Sequence, residues 1–523
     1  MAARCYRPAN TRWGMDDMQR GIFAAAGFAA LLLGGSPGLA GPADNTLRWA
    51  SDSEAANINP YYNNVREGVI HGFHIYDGAT YRDPATGEYR PHLAERVTLI
   101  DDTTIELVMR EGVVAHNGEV VDARDVAATV AFVLNPANRA TAHNRFAWLA
   151  GAELIDNRTV RLKMVRPFGP WQEYLTTLLI LPDEHLARMG VDGIAREPVG
   201  TGPYRVVELS PGRQTVLQRF DRYFGGAKGQ PSIERLVFRR MPERNTQMAE
   251  LMTGALDWMW RLQPDQARAM RGRRNITVIS GGTIRFHYVG LDAAGRTGRD
   301  NNPLMDLRVR RAINHAINRE SILRNLVGEG SEVIHVPCHP EQFGCDSRVA
   351  TRYEYDPNKA RALLAEAGYQ GGFEVSLAAY RERPWAEAII GDLRAVGIRA
   401  QLRWLQADSF QTETRQGRVQ MGFGSWGSSS VYDMAASTSY FFRNTPDDQA
   451  RDEEVARLLE VGDTSTDSGK RREAYAAALR RITDQAYWVP MVSFPLTFAH
   501  HSQLEFTPAA DEVPRFYNAR WKR

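Results

Sequence analysis

Between Phe373 and Trp404 the apolar residues fall into a strand, a helix and a second strand, and this unit constrains the architecture more than any other stretch. Phe373 to Ala379 alternates as a strand, Pro384 to Val396 repeats as a helix that Gly397 ends, and Ile398, Ala400, Leu402 and Trp404 alternate again. If the two strands are parallel, Tyr380-Arg381-Glu382-Arg383 falls at the carboxyl end of the first one, just before a helix N-terminus. Ligands of open α/β sheets bind at that edge, and a helix start beside an arginine favours a carboxylate. Arg383, next to Pro384, is the preferred partner for such a group, with Arg381 as the alternative.

Val419 to Phe423 reads as another strand whose end delivers a loop to the same edge. This loop, Gly422 to Asp433, runs Gly-Phe-Gly-Ser-Trp-Gly-Ser-Ser-Ser-Val-Tyr-Asp. Clustered glycine and serine let a backbone approach a bound molecule, whereas flat side chains supply apolar faces. The candidate ligand-binding residues are therefore Trp426 for stacking, Gly427 for close approach, Ser428, Ser429 and Ser430 for hydrogen bonds, Tyr432 for a second flat face, and Asp433 as an acceptor. The plainer alternative is an ordinary surface turn.

The rest of the chain reads as a mixed α/β (α+β) protein. Thr46 to Ala50 is a first strand, followed by a polar loop from Ser51 to Pro60. Thr104 to Met109 and Thr159 to Met164 alternate as half-buried antiparallel strands. Between them Asp122 opens a helix with Val126, Val130, Val133 and Leu134 on its apolar face. Pro198-Val-Gly-Thr-Gly-Pro-Tyr204 is a rigid turn rather than a phosphate loop, because no Gly-Lys-Ser/Thr and no helix follow it. Asp306 to Val327 has helical spacing closed by Gly328, with Arg308, Arg310, Arg311 and Arg319 read as a solvated basic face. Asp356-Pro357 caps a further helix that Gly368 stops.

The N-terminus reads as a targeting segment rather than fold. An apolar run from Gly21 to Leu33 follows Arg20, and Gly38-Leu39-Ala40 supplies small residues for cleavage after Ala40 or Ala43. The run is too short to span a bilayer, and no later stretch is long enough. Cys5 precedes the run and no Cys sits at the cleavage point, so no lipid anchor is expected. The segment ahead of Met15 reads as an over-long start. Of 64 basic and 62 acidic residues, residues 1–40 hold four Arg and two Asp, leaving a nearly neutral chain with no drive toward nucleic acid or anionic membrane. In His335-Val-Pro-Cys-His-Pro-Glu-Gln-Phe-Gly-Cys345 the prolines prevent a helix from aligning the histidines, and the spacing fits no common zinc motif. In an exported chain a Cys338–Cys345 disulfide is the preferred reading, ahead of a metal or reactive site or free thiols; neither cofactor nor metal is expected.

Several stretches resemble one family in order along the chain: Pro198 to Tyr204, Asn117 to Val126, Glu250 to Asp257, Leu307 to Arg319 and Tyr355 to Gly368. They are similar to signatures of the extracytoplasmic solute-binding proteins of the dipeptide, oligopeptide and nickel class, family 5. The resemblance implies the two-lobed class II periplasmic binding fold with an additional subdomain, and a monomeric periplasmic receptor that hands a peptide or amino-acid-derived solute to the transmembrane subunits of an ABC permease. It also implies lobe I at 44–288 with an inserted subdomain at about 71–197, lobe II at 289–490, and a return of 491–523 to lobe I. The family's peptide binders place an arginine and an acidic residue in the Tyr380–Arg383 and Trp426 regions. Here the sequence departs: Ser429 stands where a Trp-x-x-Asp arrangement has its aspartate. A peptide α-amine clamp is thereby in doubt, and nickel chelates, opines and other non-peptide solutes stay open. The competing class is an exported hydrolase, against which the chain has no His-Glu-x-x-His and its one Gly-x-Ser-x-Gly match, Gly34 to Gly38, falls in the segment read as removed.

Overall fold

The computed structural model describes residues 41–55, 57–63, 65–298 and 301–522, so the targeting segment read at 1–40 lies outside the described residues. A ten-stranded mixed sheet organises the chain. Its spatial order is Ile398–Trp404, Phe373–Ala379, Met421–Trp426, Ile276–Leu291, Trp488–His501, Trp258–Trp260, Thr46–Ser51, Arg235–Arg240, Gln214–Arg219 and Tyr204–Ser210. Phe373–Ala379 pairs in parallel with Ile398–Trp404, as a strand-helix-strand unit requires. The connecting helix spans Arg383–Ala395 and buries Trp385, Ala386, Ile389 and Leu393 against the sheet. Helices packed on a large mixed sheet make this an α/β fold.

Two long strands, Ile276–Leu291 and Trp488–His501, carry the sheet from one half to the other. Phe286 to Leu291 pairs with Met421–Trp426 on one side, while Phe498 to His500 pairs with Trp258–Trp260 on the other. Their mutual ladder is interrupted between the Gly282–Pro495 and Phe286–Ser493 pairs. Pro495 has no N–H to give there. In the gap the Ile284 N–H donates to the Ala510 carbonyl at 2.8 Å and Thr283 Oγ1 to the Phe494 carbonyl at 2.7 Å. Separate apolar cores lie on either side of this crossing. One gathers Leu47, Trp49, Ile105, Val130 and Phe516, and another gathers Val289, Ile313, Leu377, Ile389 and Met421.

A four-stranded antiparallel sheet, in the order Ala94–Asp101, Thr104–Met109, Thr159–Met164 and Leu149–Leu154, adds to the first core. The helix Ala123–Leu134 covers it and starts with a reciprocal cap, Asp122 accepting from backbone and Asp125 returning the bond. Asp356 likewise accepts from the Asn358 and Lys359 N–H groups to begin Pro357–Glu366.

The stretch read as one helix from Asp306 to Val327 is broken. Leu307–Ala316 ends where Ile317 turns extended, and Asn318 caps the short Arg319–Ile322 helix. The solvated basic face is also corrected. Arg310 and Arg319 are buried, Arg310 donating to the carbonyls of Gln485, Leu304 and Met305, and Arg319 to those of Pro490 and Tyr353. They satisfy carbonyls of a helix end, a turn, a strand and a loop, a use that charge pattern alone does not reveal.

A buried charge cluster ties the Gly226–Lys228 turn to the end of the Arg66–Ile75 helix. Lys228 Nζ lies 2.6 Å from Asp77 Oδ1 and donates to the Phe73 carbonyl, and His92 Nε2 lies 3.0 Å from the same carboxylate. Burial alone would raise the Asp77 carboxyl, but the Lys228 ammonium and His92 hold it well below the usual carboxylate range. Replacing Lys228 with Met would strand that carboxylate, so Lys228→Met should lower unfolding free energy by roughly 3–5 kcal/mol in urea titrations. A loss under about 1 kcal/mol would show that Asp77 is satisfied without its lysine.

Candidate functional site

The loop after Met421–Trp426 leaves the sheet beside the crossing strands. Ser428, Ser429 and Ser430 all take positive φ, at 50°, 50° and 66°, a left-handed turn costing about 1–2 kcal/mol per residue without glycine. Ser428 is fully buried, and its Oγ finds no partner among the described residues. The Ser430 N–H donates to the Gly427 carbonyl at 3.0 Å and the Val431 N–H to the Ser428 carbonyl at 2.9 Å, and remote chain adds further support. Ser430 Oγ accepts from Arg66 Nη1 and donates to the Asp511 carbonyl at 2.8 Å. The Tyr432 N–H donates to Glu173 Oε1 at 2.9 Å, and the Arg82 guanidinium sits 3.4 Å from the Tyr432 ring centroid.

Ser429, Ser430 and Tyr432 meet Arg82, Arg145 and Glu173 around a cavity of about 80 Å³. Charges on its wall pair off with one exception. Glu173 takes Tyr89, Tyr432 and Arg82, Asp511 takes Arg515 at 2.5 Å, and Lys228 is held by Asp77. The guanidinium of Arg145, on the short His143–Phe146 helix, has no hydrogen-bond or ion-pair partner among the described residues. Burial pushes its guanidinium down, with no nearby carboxylate to restore it. Its donors are thus free to pair with an anion.

The other residues singled out in the sequence fall in different places. Trp426 stacks on Tyr440 at 4.4 Å and donates from Nε1 to the Ala436 carbonyl at 2.7 Å, so its ring is used within its own core. Gly427 lies under Arg285, where a Cβ would come 2.6 Å from Nη2. Asp433 is buried against Arg471 at 2.6 Å, and Arg471 also donates to the Gly169 carbonyl. Burial raises the Asp433 carboxyl and Arg471 works against it. Arg381 donates to Ser425 Oγ at 2.8 Å and faces a second cavity. Arg383 points outward, pairs with Glu387 on its own helix at 2.8 Å, and lines neither cavity.

Cys338 and Cys345 are joined in a disulfide. Their loop braces the candidate site, because the Phe343 N–H donates to the Tyr432 carbonyl at 2.8 Å and Gln342 Nε2 to the Val431 carbonyl at 2.9 Å. Among the described residues no three His, Cys, Asp or Glu side chains cluster to hold a metal, and no helix is long and apolar enough to cross a membrane.

A sheet carried between two cores by two strands, with a charged cleft beside them, defines a two-lobed solute-binding protein. The chain belongs to the bacterial extracellular solute-binding proteins, family 5, whose middle region matches residues 88–449. The glutathione-binding protein GsiB of Salmonella paratyphi A is 26% identical over 435 residues, covering 79% of this chain and 82% of its own. HbpA2 from Haemophilus parasuis shares the fold with a TM-score of 0.81 at 23% identity, over 91% of this chain and 100% of that one. NikA from Brucella suis in complex with Fe(III)-EDTA does so with a TM-score of 0.80 at 22% identity, over 91% and 100%.

Glu512 stands beside Asp511 and joins Arg285, 2.7 Å away, to Arg66 at 3.3 Å. Burial would raise its carboxyl, but Arg285 and then Arg66 outweigh burial and carry it down to about 2. A folded value below the ordinary 4.5 means stability that is present above about pH 4.5 and lost as pH falls toward 2. Urea midpoints measured across that window should show wild type losing roughly 3 kcal/mol more than Glu512→Gln. Identical acid limbs would remove Glu512 from the linkage.

Proposed function

We propose that this chain is the periplasmic receptor of an ABC importer and that it closes on a small anionic solute, amino-acid-derived and carrying a carboxylate. The observation that carries the reading is Arg145, the one cavity-wall cation left without a partner among the described residues. Ser429 supports it from the other side, since no carboxylate stands at that position to receive an ammonium. The named ligands of two relatives, glutathione and Fe(III)-EDTA, both carry carboxylates. On this reading Ser429, Ser430 and Tyr432 touch the solute, whereas Trp426, Gly427, Ser428 and Asp433 hold their loop in place.

The remaining parts follow the same reading. The segment 1–40 is removed on export, and the processed chain works as a monomer without cofactor and without catalysis. Lobe I covers 44–288 with a subdomain at about 71–197, lobe II covers 289–490, and 491–523 returns to lobe I. The cavity holds only a few water-sized groups as it stands. A larger solute enters with the lobes apart, and differential affinity then favours the closed form.

Native mass spectrometry of the purified protein should release a carboxylate-bearing molecule, and calorimetry with that molecule should show stoichiometric binding without turnover. Arg145→Gln should weaken it by roughly 2–5 kcal/mol, the range for a desolvated charge pair, and an amide in place of the carboxylate should do the same. Wild-type affinity in Arg145→Gln, with the melting temperature unchanged, would place the anion elsewhere.

A further inference from the structure

The residues just ahead of the first strand, Thr46–Ser51, carry a feature that solute binding does not use. Gly41 is buried and forms an antiparallel bridge with Thr46, and Pro42–Asp44 makes a short helical turn between the two. Gly41 holds φ at 112°, a conformation that side-chain-bearing residues rarely adopt. Asp44 closes the turn, its carboxylate accepting from the Thr46 N–H at 3.1 Å and pairing with the Arg48 guanidinium. Gly41 to Asp44 are therefore built into the fold rather than trailing from it.

Beside Gly41 lies a carboxylate oxygen without a partner. A Cβ placed on Gly41 would stand 3.6 Å from Asp257 Oδ1 and 4.0 Å from the Trp521 ring, so the Gly41 main chain borders that oxygen. Asp257 is fully buried just before the Trp258–Trp260 strand. Its other polar atoms are all used: the N–H donates to the Arg48 carbonyl at 2.8 Å, the carbonyl accepts from the His501 N–H at 2.8 Å, and Oδ2 accepts from the Arg48 N–H at 2.7 Å. Oδ1 accepts from no donor among the described residues. Nor do the facing charges make up the deficit. Arg48 Nη1 stands 3.6 Å from Oδ2, but its guanidinium is already bound by Asp44, whose own charge acts against Asp257. Burial consequently pushes the Asp257 carboxyl up to about 7, with Arg48 only partly opposing it. A buried carboxylate with one bare oxygen and no full counter-ion is costly to keep.

The sequence offers a source of positive charge at this place. Gly38-Leu39-Ala40 precedes Gly41 as the small-residue stretch of a cleavage site. Hydrolysis of the Ala40–Gly41 amide adds the hydroxyl of water to the Ala40 acyl carbon and its proton to the Gly41 nitrogen. With an ordinary α-amino value near 8, that nitrogen is an ammonium at neutral pH. Bond lengths alone keep it within roughly 6 Å of Asp257 Oδ1, the range in which an opposite charge favours an ionised carboxylate. Cleavage after Ala43 would instead discard Gly41 together with the bridge and turn it makes.

We infer that export processing cuts between Ala40 and Gly41 and that the new Gly41 ammonium pairs with Asp257 Oδ1, so that processing itself supplies the counter-ion of a buried carboxylate. The inference rests on the reading of 1–40 as a segment removed on export. Before cleavage the position holds an uncharged amide, and the folded state gains its ion pair when the segment leaves. Neither Gly41 nor Asp257 lines either cavity, so the pair acts on stability and not on solute affinity.

Mass spectrometry of the protein recovered from the periplasm of producing cells should give Gly41 as its first residue. Chains begun at Gly41 and at Ala40, each released from a cleavable N-terminal fusion, should differ in melting temperature by about 2 °C in favour of Gly41, because the extra residue moves the ammonium by about 3.8 Å. Asp257→Asn, made in both chains, should abolish the difference. At pH 7 an amine-acylating reagent should modify the Gly41 amine about ten-fold more slowly than in Asp257→Asn, because pairing holds the ammonium against deprotonation. If Asp257→Asn does not fold, the two starts decide, with Gly41 acylated about ten-fold more slowly than Ala40. Equal melting temperatures, a difference that survives in folded Asp257→Asn, or equal acylation rates would overturn the pair. An exported chain beginning at Asp44 would overturn the inference while leaving the export reading in place, and one that retains 1–40 would remove both.

Discussion

One backbone hydrogen bond, from the Ile284 N–H to the Ala510 carbonyl, decides where the charges of the cleft can stand. The ladder of the two crossing strands is interrupted between the Gly282–Pro495 and Phe286–Ser493 pairs, and a bare N–H buried at that gap would be costly. The C-terminal segment supplies the missing acceptor and is thereby drawn between the two cavities. Asp511 and Glu512 follow directly, one facing each cavity, and Glu512 gathers Arg285 from the crossing strand and Arg66 from the Arg66–Ile75 helix. A local defect in pairing thus becomes the partition of the cleft.

Around that partition recognition works by exhaustion of pairs. Most cationic side chains on the cavity walls already own a carboxylate, and a paired guanidinium has little left to offer a solute. Among the described residues the Arg145 guanidinium in the first cavity has no such partner. The near-neutral chain is no obstacle, because a local imbalance of one charge in a desolvated cleft outweighs the sum over the surface.

How much of this was legible in the sequence depends on the range of the interaction. The unit from Phe373 to Trp404 was readable because its periods change within consecutive residues. So were the caps at Asp122 and Asp356, whose partners lie within three residues. The helix from Asp306 was read too long, since Ile317 and Asn318 break it without any glycine or proline to announce them. Of the residues around the first cavity, Ser430 and Tyr432 could be singled out from their loop, yet Arg66, Arg82, Arg145 and Glu173 gave no local signal. They lie more than 250 residues from that loop and are ordinary surface types until the fold brings them in. Arg383 shows the converse, because its position at a helix start was legible while its outward direction was not. Trp426 looked like a platform and is one, but for Tyr440.

The left-handed turn of Ser428 to Ser430 links these threads. Three consecutive residues in a disfavoured backbone region, with the Ser428 hydroxyl buried and unpartnered, make a segment that its own sequence does not stabilise. Its external supports are the bonds to Arg66 and Asp511 at Ser430 and to Glu173 at Tyr432. Those partners lie on other segments, remote in sequence from the loop. Loop strain and cross-cleft bonding are consequently one coupled quantity. The conformation that brings Ser429 to the cavity wall is set by contacts with remote segments rather than by local propensity.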